Sequence, residues 1–299
     1  VTPAGIILID KPEGVTSFGA LHPVKKALGR KVKVGHTGTL DKFASGLLVV
    51  CAGGYTRLAS VLTAADKTYE ARIRFGIETD TLDPSGEITA EAAIPSRERL
   101  LEVLPDFRGT IHQRPPLFSA LHVDGERAYK RALRGETVEM AEREVTVHSL
   151  ELLSYREPFA DIRVSCSKGT YIRSLARDIA LAAGTRAHLS ELRRTSVAAF
   201  SAAHAVRPDL FDPTLHLLQG EVVIHALSEY FITAVIDDDL SRAVRNGTLP
   251  SKSVLEACFA GEESGLKNRL LLFSEAGRLV SSISRAADGG FFFDFVVGE

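Results

Sequence analysis

Several things are missing from this 299-residue chain, and each absence removes a class of function. No apolar run approaches the roughly 18 residues that a membrane-spanning helix needs. The longest runs, such as Leu47 to Ala52 and Phe291 to Phe293, read as buried strands. The start carries no secretory pattern, because the apolar stretch Gly5 to Ile9 runs straight into Asp10-Lys11-Pro12. An initiator methionine is absent too, so the chain is expected to be processed or trimmed. Cysteine is scarce: Cys51, Cys166 and Cys258 stand far apart, with no CxxC and no Cys/His pair at metal-ligand spacing. That set suits a reducing cytosol, with the thiols as small buried hydrophobes. No metal is expected. There is no internal repeat and no low-complexity tract.

Phosphate-binding signatures are missing as well. A nucleotide loop of the form GxxxxGK followed by Ser or Thr does not occur. The stretch GHTGTLD, Gly35 to Asp41, lacks GxGxxG spacing, and its carboxylate would repel a nearby phosphate.

Net charge is also small, −2, which argues superficially against a nucleic-acid partner. Its distribution argues the other way. Residues 223–299 hold 7 Lys+Arg against 11 Asp+Glu, so the first 222 residues carry about +2. Lys25, Lys26, Arg30, Lys31 and Lys33 fill an acid-free stretch just before GHTGTLD. Lys168, Arg173, Arg177, Arg186, Arg193 and Arg194 make a second group. One such cluster reads as a solvated face. Two clusters flanking one candidate site favour a polyanion.

What is present is a 45% hydrophobic composition, enough for cores in two domains. Gly5 to Ile9 and Leu47 to Ala52 read as strands, and Lys67 to Phe75 alternates. Thr16-Ser17 offers an N-cap for a helix to Leu28 with Gly29 as its stop; Pro23 should kink or shorten it. Asp80 to Gly86 reads as a loop. Helices are expected over Arg97 to Leu104 and over 125–133, and strands over Val145 to Leu153 and Asp161 to Ser167. Ser167 to Thr170 then turns the chain into a helix through Ala183, with Gly184 as its stop. That helix has Ile172, Leu175, Ala176, Ile179 and Ala180 on its apolar face. Strands and helices do not alternate regularly, which points to an α+β fold: a mixed, largely antiparallel sheet with flanking helices. After about residue 222 the pattern becomes a β-meander, Leu270 to Phe273, Leu279 to Ser284 and Phe291 to Val297. The expected domains are therefore 1–222 and 223–299, the second small and all-β.

A lone carboxylate after a Gly/Thr-rich turn can act as base, acid or nucleophile. A retaining glycosidase would need a second carboxylate flanking the bond. None lies close in sequence, and arginines surround the motif instead. An arginine beside Asp41 is expected to keep it ionised and lower its pKa, which suits a nucleophile.

The following stretches, in this order, resemble the TruB family of tRNA pseudouridine synthases. They are GIILIDKPEGVTS at Gly5 to Ser17, GHTGTLDKFASGLL at Gly35 to Leu48, DKTYEA at Asp66 to Ala71, and TDTLDPSGEI at Thr79 to Ile88. RPPLFSA follows at Arg114 to Ala120, then CSKGTYIRSLARDIA at Cys166 to Ala180 and LRRTSVAAF at Leu192 to Phe200. A single GxTGxLD would be weak; the ordered set over about residues 5–200 is specific. The tail is similar to the family's PUA-like RNA-binding domain, more loosely.

The resemblance implies a pseudouridine-synthase-like fold and one reaction. A uridine in the tRNA T-arm, position 55, is cut at its N-glycosidic bond, and the base is turned and rejoined through C5. No cofactor is involved. It implies Asp41 as the nucleophile or partner of the cleavage step, paired with Arg173. Tyr69 would stack on the base and Leu192 would wall the pocket. His36 would support the flipped-out loop, and Lys11 and Pro12 would shape the floor. Such a protein is expected to be a cytoplasmic monomer with tRNA as partner, no membrane and no protein partner. A non-catalytic tRNA-binding chaperone on the same fold is the rival reading. It needs no nucleophile, so Asp41, Tyr69 and Arg173 together argue against it. Where the family shows LDP and a leucine, this chain has Leu40-Asp41-Lys42-Phe43, a change expected to loosen the loop after Asp41.

Overall fold

The computed structural model describes residues 3–119, 122–123, 126–127, 134, 140–260 and 268–298. Alternating apolar residues place a mixed sheet at the centre of the fold. Its main path runs Gly5–Lys11, Ser45–Ala52, Ala187–Val197, Lys67–Phe75, Phe159–Cys166, Arg143–Arg156, Gly109–Gln113. Every pairing along this path is antiparallel except that of Ala187–Val197 with Ser45–Ala52. Val34–His36 adds to the Ser45–Ala52 edge.

The alternation read in Lys67 to Phe75 is real: Tyr69, Ala71, Ile73 and Phe75 are buried, and Glu70, Arg72 and Arg74 face outward. Against the buried face packs the helix Ile172–Ala182, through Ile172, Leu175, Ala176, Ile179 and Ala180. Helix Ser17–Leu28 packs near the other end of the sheet, through Ala20, Leu21, Val24 and Leu28. Thr16 caps it by accepting from the Gly19 amide, and Gly29 stops it at φ +86°. Pro23 does not shorten this helix, which runs its full 12 residues.

The strand Ala187–Val197 lies inside the sheet, between Ser45–Ala52 and Lys67–Phe75, and its periodicity is hidden. Register shifts between Leu189 and Glu191 and between Arg194 and Ser196 break the period of two, and Arg194 takes an inward position. The helix expected over 125–133 falls largely outside the described residues; within that stretch Glu126–Arg127 pairs as a short strand with His122–Val123.

The expected C-terminal sheet is present, with Arg269–Ser274, Leu279–Arg285 and Phe291–Val296 as a meander. It is not built from strands alone. Ile232–Ile236 joins it in parallel, and a parallel pair needs a crossover; helices Asp238–Arg245 and Lys252–Phe259 lie in that connection. Phe291 to Phe293 is a strand but not a buried one, because it forms the sheet's outer edge and Phe292 faces solvent. One core cluster joins the two halves, with Ile6, Leu8 and Tyr55 against Leu271, Phe273 and Leu279. Two of the three cysteines are the buried hydrophobes expected, Cys51 and Cys166, and Cys258 is half-buried. Burial pushes the Cys51 thiol up to about 12 and the Cys166 thiol up to about 11.

Candidate active site

Asp41 lies in the turn between Val34–His36 and Ser45–Ala52. The turn is fixed from several sides. Ser17, at the start of its helix, donates through Oγ to the Leu40 carbonyl at 3.0 Å and accepts from the Leu40 amide at 2.8 Å. On the far side of Asp41, the Lys42 carbonyl accepts from the Gly14 amide at 2.8 Å and from Lys11 Nζ at 3.5 Å. Phe43 packs against the main core. The loop expected to be loose for want of a proline is held by its own backbone carbonyl and by a partly buried ring.

Arg173, one residue into its helix, turns away from solvent and meets Asp41 side-on. Nε lies 2.9 Å from Oδ2, and Nη2 donates to Oδ1 at 3.2 Å. The guanidinium is only 4% exposed, whereas 38% of the Asp41 side chain still faces the cavity. Three further groups aim the arginine. Nη1 donates to the Thr81 carbonyl at 2.8 Å and lies 3.7 Å from Asp83 Oδ2, and Nη2 also donates to the Phe118 carbonyl at 3.0 Å. The helix start is capped from another strand, since Gln113 accepts from the Tyr171 amide and donates to its carbonyl. Arg177 is the arginine that takes Asp178, at 2.8 Å, leaving Arg173 for the site.

Electrostatics here differ from the expectation. Burial pushes the Asp41 carboxyl above its ordinary pKa; Arg173 pulls it down, Asp83 pushes it up, and Lys11 pulls it down more weakly. Desolvation thus outweighs the ion pair in this cavity. Arg173 is accordingly what opposes protonation of the acid, where the sequence alone suggested a carboxyl held below its usual range.

Asp41, Tyr69, Arg173 and Leu192 line one cavity of about 440 Å³. Tyr69 comes from Lys67–Phe75 and Leu192 from its neighbour strand, where Leu192 pairs with Ala71 and Arg194 with Tyr69. The Tyr69 phenol is pushed up by burial and drawn down by Arg194. Both sides of Asp41 are open: a second cavity of about 480 Å³, lined by Glu13, Lys42, Asp83 and Phe118, also reaches Asp41 and Arg173.

His36, Lys11 and Pro12 do not line the Tyr69 cavity. His36 precedes the turn; burial first, then Arg194 and Lys25, lower its pKa, so the ring is neutral near pH 7. Its Nδ1 is buried without a hydrogen-bond partner among the described residues. Lys11 is fully buried, and its Nζ donates to the Pro12 carbonyl at 2.9 Å and the Val15 carbonyl at 2.7 Å. Burial lowers it to about 8, with Asp41 pulling the other way. Lys11 thus ties the Pro12 and Val15 carbonyls to the Lys42 carbonyl, which also accepts from the Gly14 amide.

Four groups the sequence reading did not single out belong to the site: Ser17, Lys67, Asp83 and Arg194. All four sit inside the quoted motifs, so the signal was present but unassigned. Asp83 is the second carboxylate that had no counterpart nearby in sequence. Of the second basic group, Arg177, Arg186 and Arg193 are paired with Asp178, Glu78 and Asp10, and Arg173 with Asp41. Arg194 is buried, so that group is a structural set more than a basic surface. Lys26, Arg30, Lys31 and Lys33 are exposed. Among the described residues no cluster of His, Cys, Asp and Glu could hold a metal ion.

This arrangement can hold a planar base against Tyr69 and Leu192 while presenting the Asp41 carboxyl group, paired with Arg173, to an adjacent sugar carbon. Comparison with known proteins bears on it. The descriptions "TruB family pseudouridylate synthase (N terminal domain)" and "tRNA pseudouridylate synthase B C-terminal domain" match residues 25–172 and 173–232. A tRNA pseudouridine synthase B of Borreliella burgdorferi is 44% identical over 248 residues, 81% of this chain and 85% of that protein. One from an Azoarcus species is 49% identical over 203 residues, 68% of this chain and 67% of that protein. The solved chain of an archaeal box H/ACA sRNP Nop10-Cbf5 complex shares the fold, with a TM-score of 0.68 at 22% identity over 99% of this chain and 86% of that one.

Proposed function

The chain belongs to the TruB family of tRNA pseudouridine synthases, and from that premise we propose that it isomerises uridine to pseudouridine at position 55 in the T-arm of tRNA, with Asp41 acting at the glycosidic bond. The observation that carries this reading is the side-on pair of Arg173 with Asp41 at the edge of a base-sized cavity walled by Tyr69 and Leu192. A pure RNA binder has no use for a carboxylate held against its desolvation penalty.

The target nucleotide leaves its stack to reach Asp41. Unstacking costs a few kcal/mol, offset by stacking on Tyr69 and by phosphate contacts. Asp41 then serves as nucleophile at C1′ or as the acid-base partner of a glycal route. Both need the ionised form, which Arg173 and Lys11 favour. The freed base turns while held between Tyr69 and Leu192, and C5 takes the place of N1. Neutral His36, just before the turn, supports the flipped-out loop. The exposed lysines and arginine between residues 26 and 33 draw in the RNA backbone. Residues 1–222 act as the catalytic domain and 223–299 as a PUA-like RNA-binding domain. The protein works as a cytoplasmic monomer on tRNA, with no protein partner and no cofactor.

Tritium release from T-arm RNA carrying 5-tritiated uridine tests this, because joining C5 to the sugar must expel that hydrogen. Wild type should release tritium, and Asp41→Asn should lower release at least ~10³-fold while keeping most of the RNA affinity. Normal release by the variant would remove Asp41 from the mechanism. No release by wild type, with salt-sensitive RNA binding retained, would make the protein a binder.

A further inference from the structure

Arg194 is the largest fully buried side chain among the described residues, at 1% exposed. It stands in Ala187–Val197 directly opposite Tyr69 on one side and Gly46 on the other. Nε donates to the Leu47 carbonyl at 2.8 Å and Nη2 to the Gly38 carbonyl at 3.1 Å. Tyr69 stands across from it in the sheet and lines the same cavity, and Arg194 draws the Tyr69 phenol down in pKa. Its hydrogen-bond partners among the described residues are thus two carbonyls, with no carboxylate among them.

A buried cation without a counter-charge is a poor way to stabilise a sheet, and an apolar residue of similar volume commonly does better. The geometry suggests another use. Gly38 belongs to the turn that carries His36 and Asp41, and it is at φ +135° with Arg194 Nη1 3.6 Å from where a Cβ would stand. Tyr69 is the opposite wall of the cavity. A planar guanidinium donates in several fixed directions at once, which a lysine cannot do. One rigid group therefore spans the turn before the carboxylate and the aromatic that meets the base.

We propose that Arg194 is a positioning residue, whose fork, tied to the Gly38 and Leu47 carbonyls and set against Tyr69, keeps the Gly38 turn and the Tyr69 ring at a fixed separation so that the uracil lies on Tyr69 with its glycosidic bond at Asp41. The inference rests on the reading of the site as a uridine isomerase. The reaction makes a particular demand on such a residue. The base is cut free, turned and rejoined inside the same cavity, so the walls must keep their spacing when no covalent bond fixes the base. A misplacement of about 1 Å is enough to lower the rate ~10²-fold.

The test compares Arg194→Met and Arg194→Lys with wild type, measuring kcat and KM for pseudouridine formation on T-arm RNA, with circular dichroism as a check on folding. Arg194→Met should lower kcat about 100-fold while KM changes by less than about threefold. Arg194→Lys keeps the charge and at least one of the donations, and should regain about tenfold of that loss. Wild-type kcat in Arg194→Met would overturn the proposal, as would a rise in KM that accounts for the whole loss, or no regain with lysine. Should Arg194→Met fail to fold, the lysine variant decides: kcat about tenfold down at unchanged KM supports positioning, and unchanged kcat refutes it. If neither variant folds, Arg194 is a folding residue and the proposal falls. A wild type that makes no pseudouridine would overturn the functional reading itself, a result separate from all of these.

Discussion

Charge at single residues is governed here by burial more than by pairing. Lys67 shows this clearly. Its ammonium is nearly inaccessible and donates to the Thr63 carbonyl at 2.8 Å and to the Ala65 carbonyl. Burial, with Arg194 adding to it, lowers Lys67 to about 8 from the model-peptide value of 10.5. The unfolded chain therefore binds more protons than the folded one between those values, and folding stability from this group rises with pH across that window. Against a Lys67→Met control, which lacks the titration, wild type should gain on the order of 2 kcal/mol in relative unfolding free energy from pH 7.5 to 10.5. Urea unfolding at the two pH values measures it. A constant difference would mean that the folded lysine titrates near its ordinary value. The alternation of Lys67–Phe75 puts Lys67 on the inner face with Tyr69, but no local pattern says that its ammonium ends among the Thr63 and Ala65 carbonyls.

Among the elements, the closest approach in the sheet is where the parallel pair meets. Gly46, the partner of Arg194, is at φ +101°, and a Cβ there would come within 2.3 Å of the Arg194 carbonyl oxygen and 2.8 Å of its amide nitrogen. Backbone cannot yield as a flexible side chain would. Gly46→Ala should cost about 3 kcal/mol or more in stability, from strain and clash together. A shift in the urea midpoint reads it, and an unchanged midpoint would mean the two strands stand further apart. The opening turn behaves differently: a Cβ at Gly35 would meet nothing within 4 Å, so close approach is a property of Gly46 more than of the first glycine in GHTGTLD. Local signals did well for elements with strong periodicity or capping. Lys67–Phe75, Ser17–Leu28 and Ile172–Ala182 follow from alternation, an N-cap threonine and an apolar stripe. They failed for Ala187–Val197, where two register shifts and an inward arginine erase the period. That strand carries Leu192 and Arg194, so the part of the cavity wall next to Tyr69 was invisible as structure.

For the molecule as a whole, the link between the main sheet and the C-terminal sheet is a shared core with a polar contact inside it. The Tyr55 hydroxyl donates to the Gly277 carbonyl at 3.4 Å and accepts from the Leu279 amide at 3.3 Å, both buried. Tyr55→Phe takes this acceptor from the Leu279 amide, while the Gly277 carbonyl keeps the Gly220 amide at 3.0 Å, and should destabilise the protein by about 1 kcal/mol. The loss belongs to this link, so proteolysis of the C-terminal sheet should accelerate while kcat on T-arm RNA stays at the wild-type level. A fall in kcat instead would mean that the C-terminal sheet shapes the cavity.

The sequence by itself determined the α+β class, the ordered motifs that mark the family and the amphipathic faces, and its motifs named Asp41, Tyr69, Arg173 and Leu192, which the fold brings to one cavity. Those properties are local: periodicity, capping and motif chemistry are written in neighbouring residues. Only the tertiary structure decided that Asp83 and Asp41 share one arginine and that desolvation overrides the ion pair at Asp41. It alone decided that most of the second basic group is spent on pairing within the chain, and that Arg194 turns inward to the Gly38 carbonyl opposite Tyr69. The reason is physical. Burial, dielectric surroundings and the direction of a hydrogen bond depend on groups brought together from distant parts of the chain, and no window along the sequence contains them.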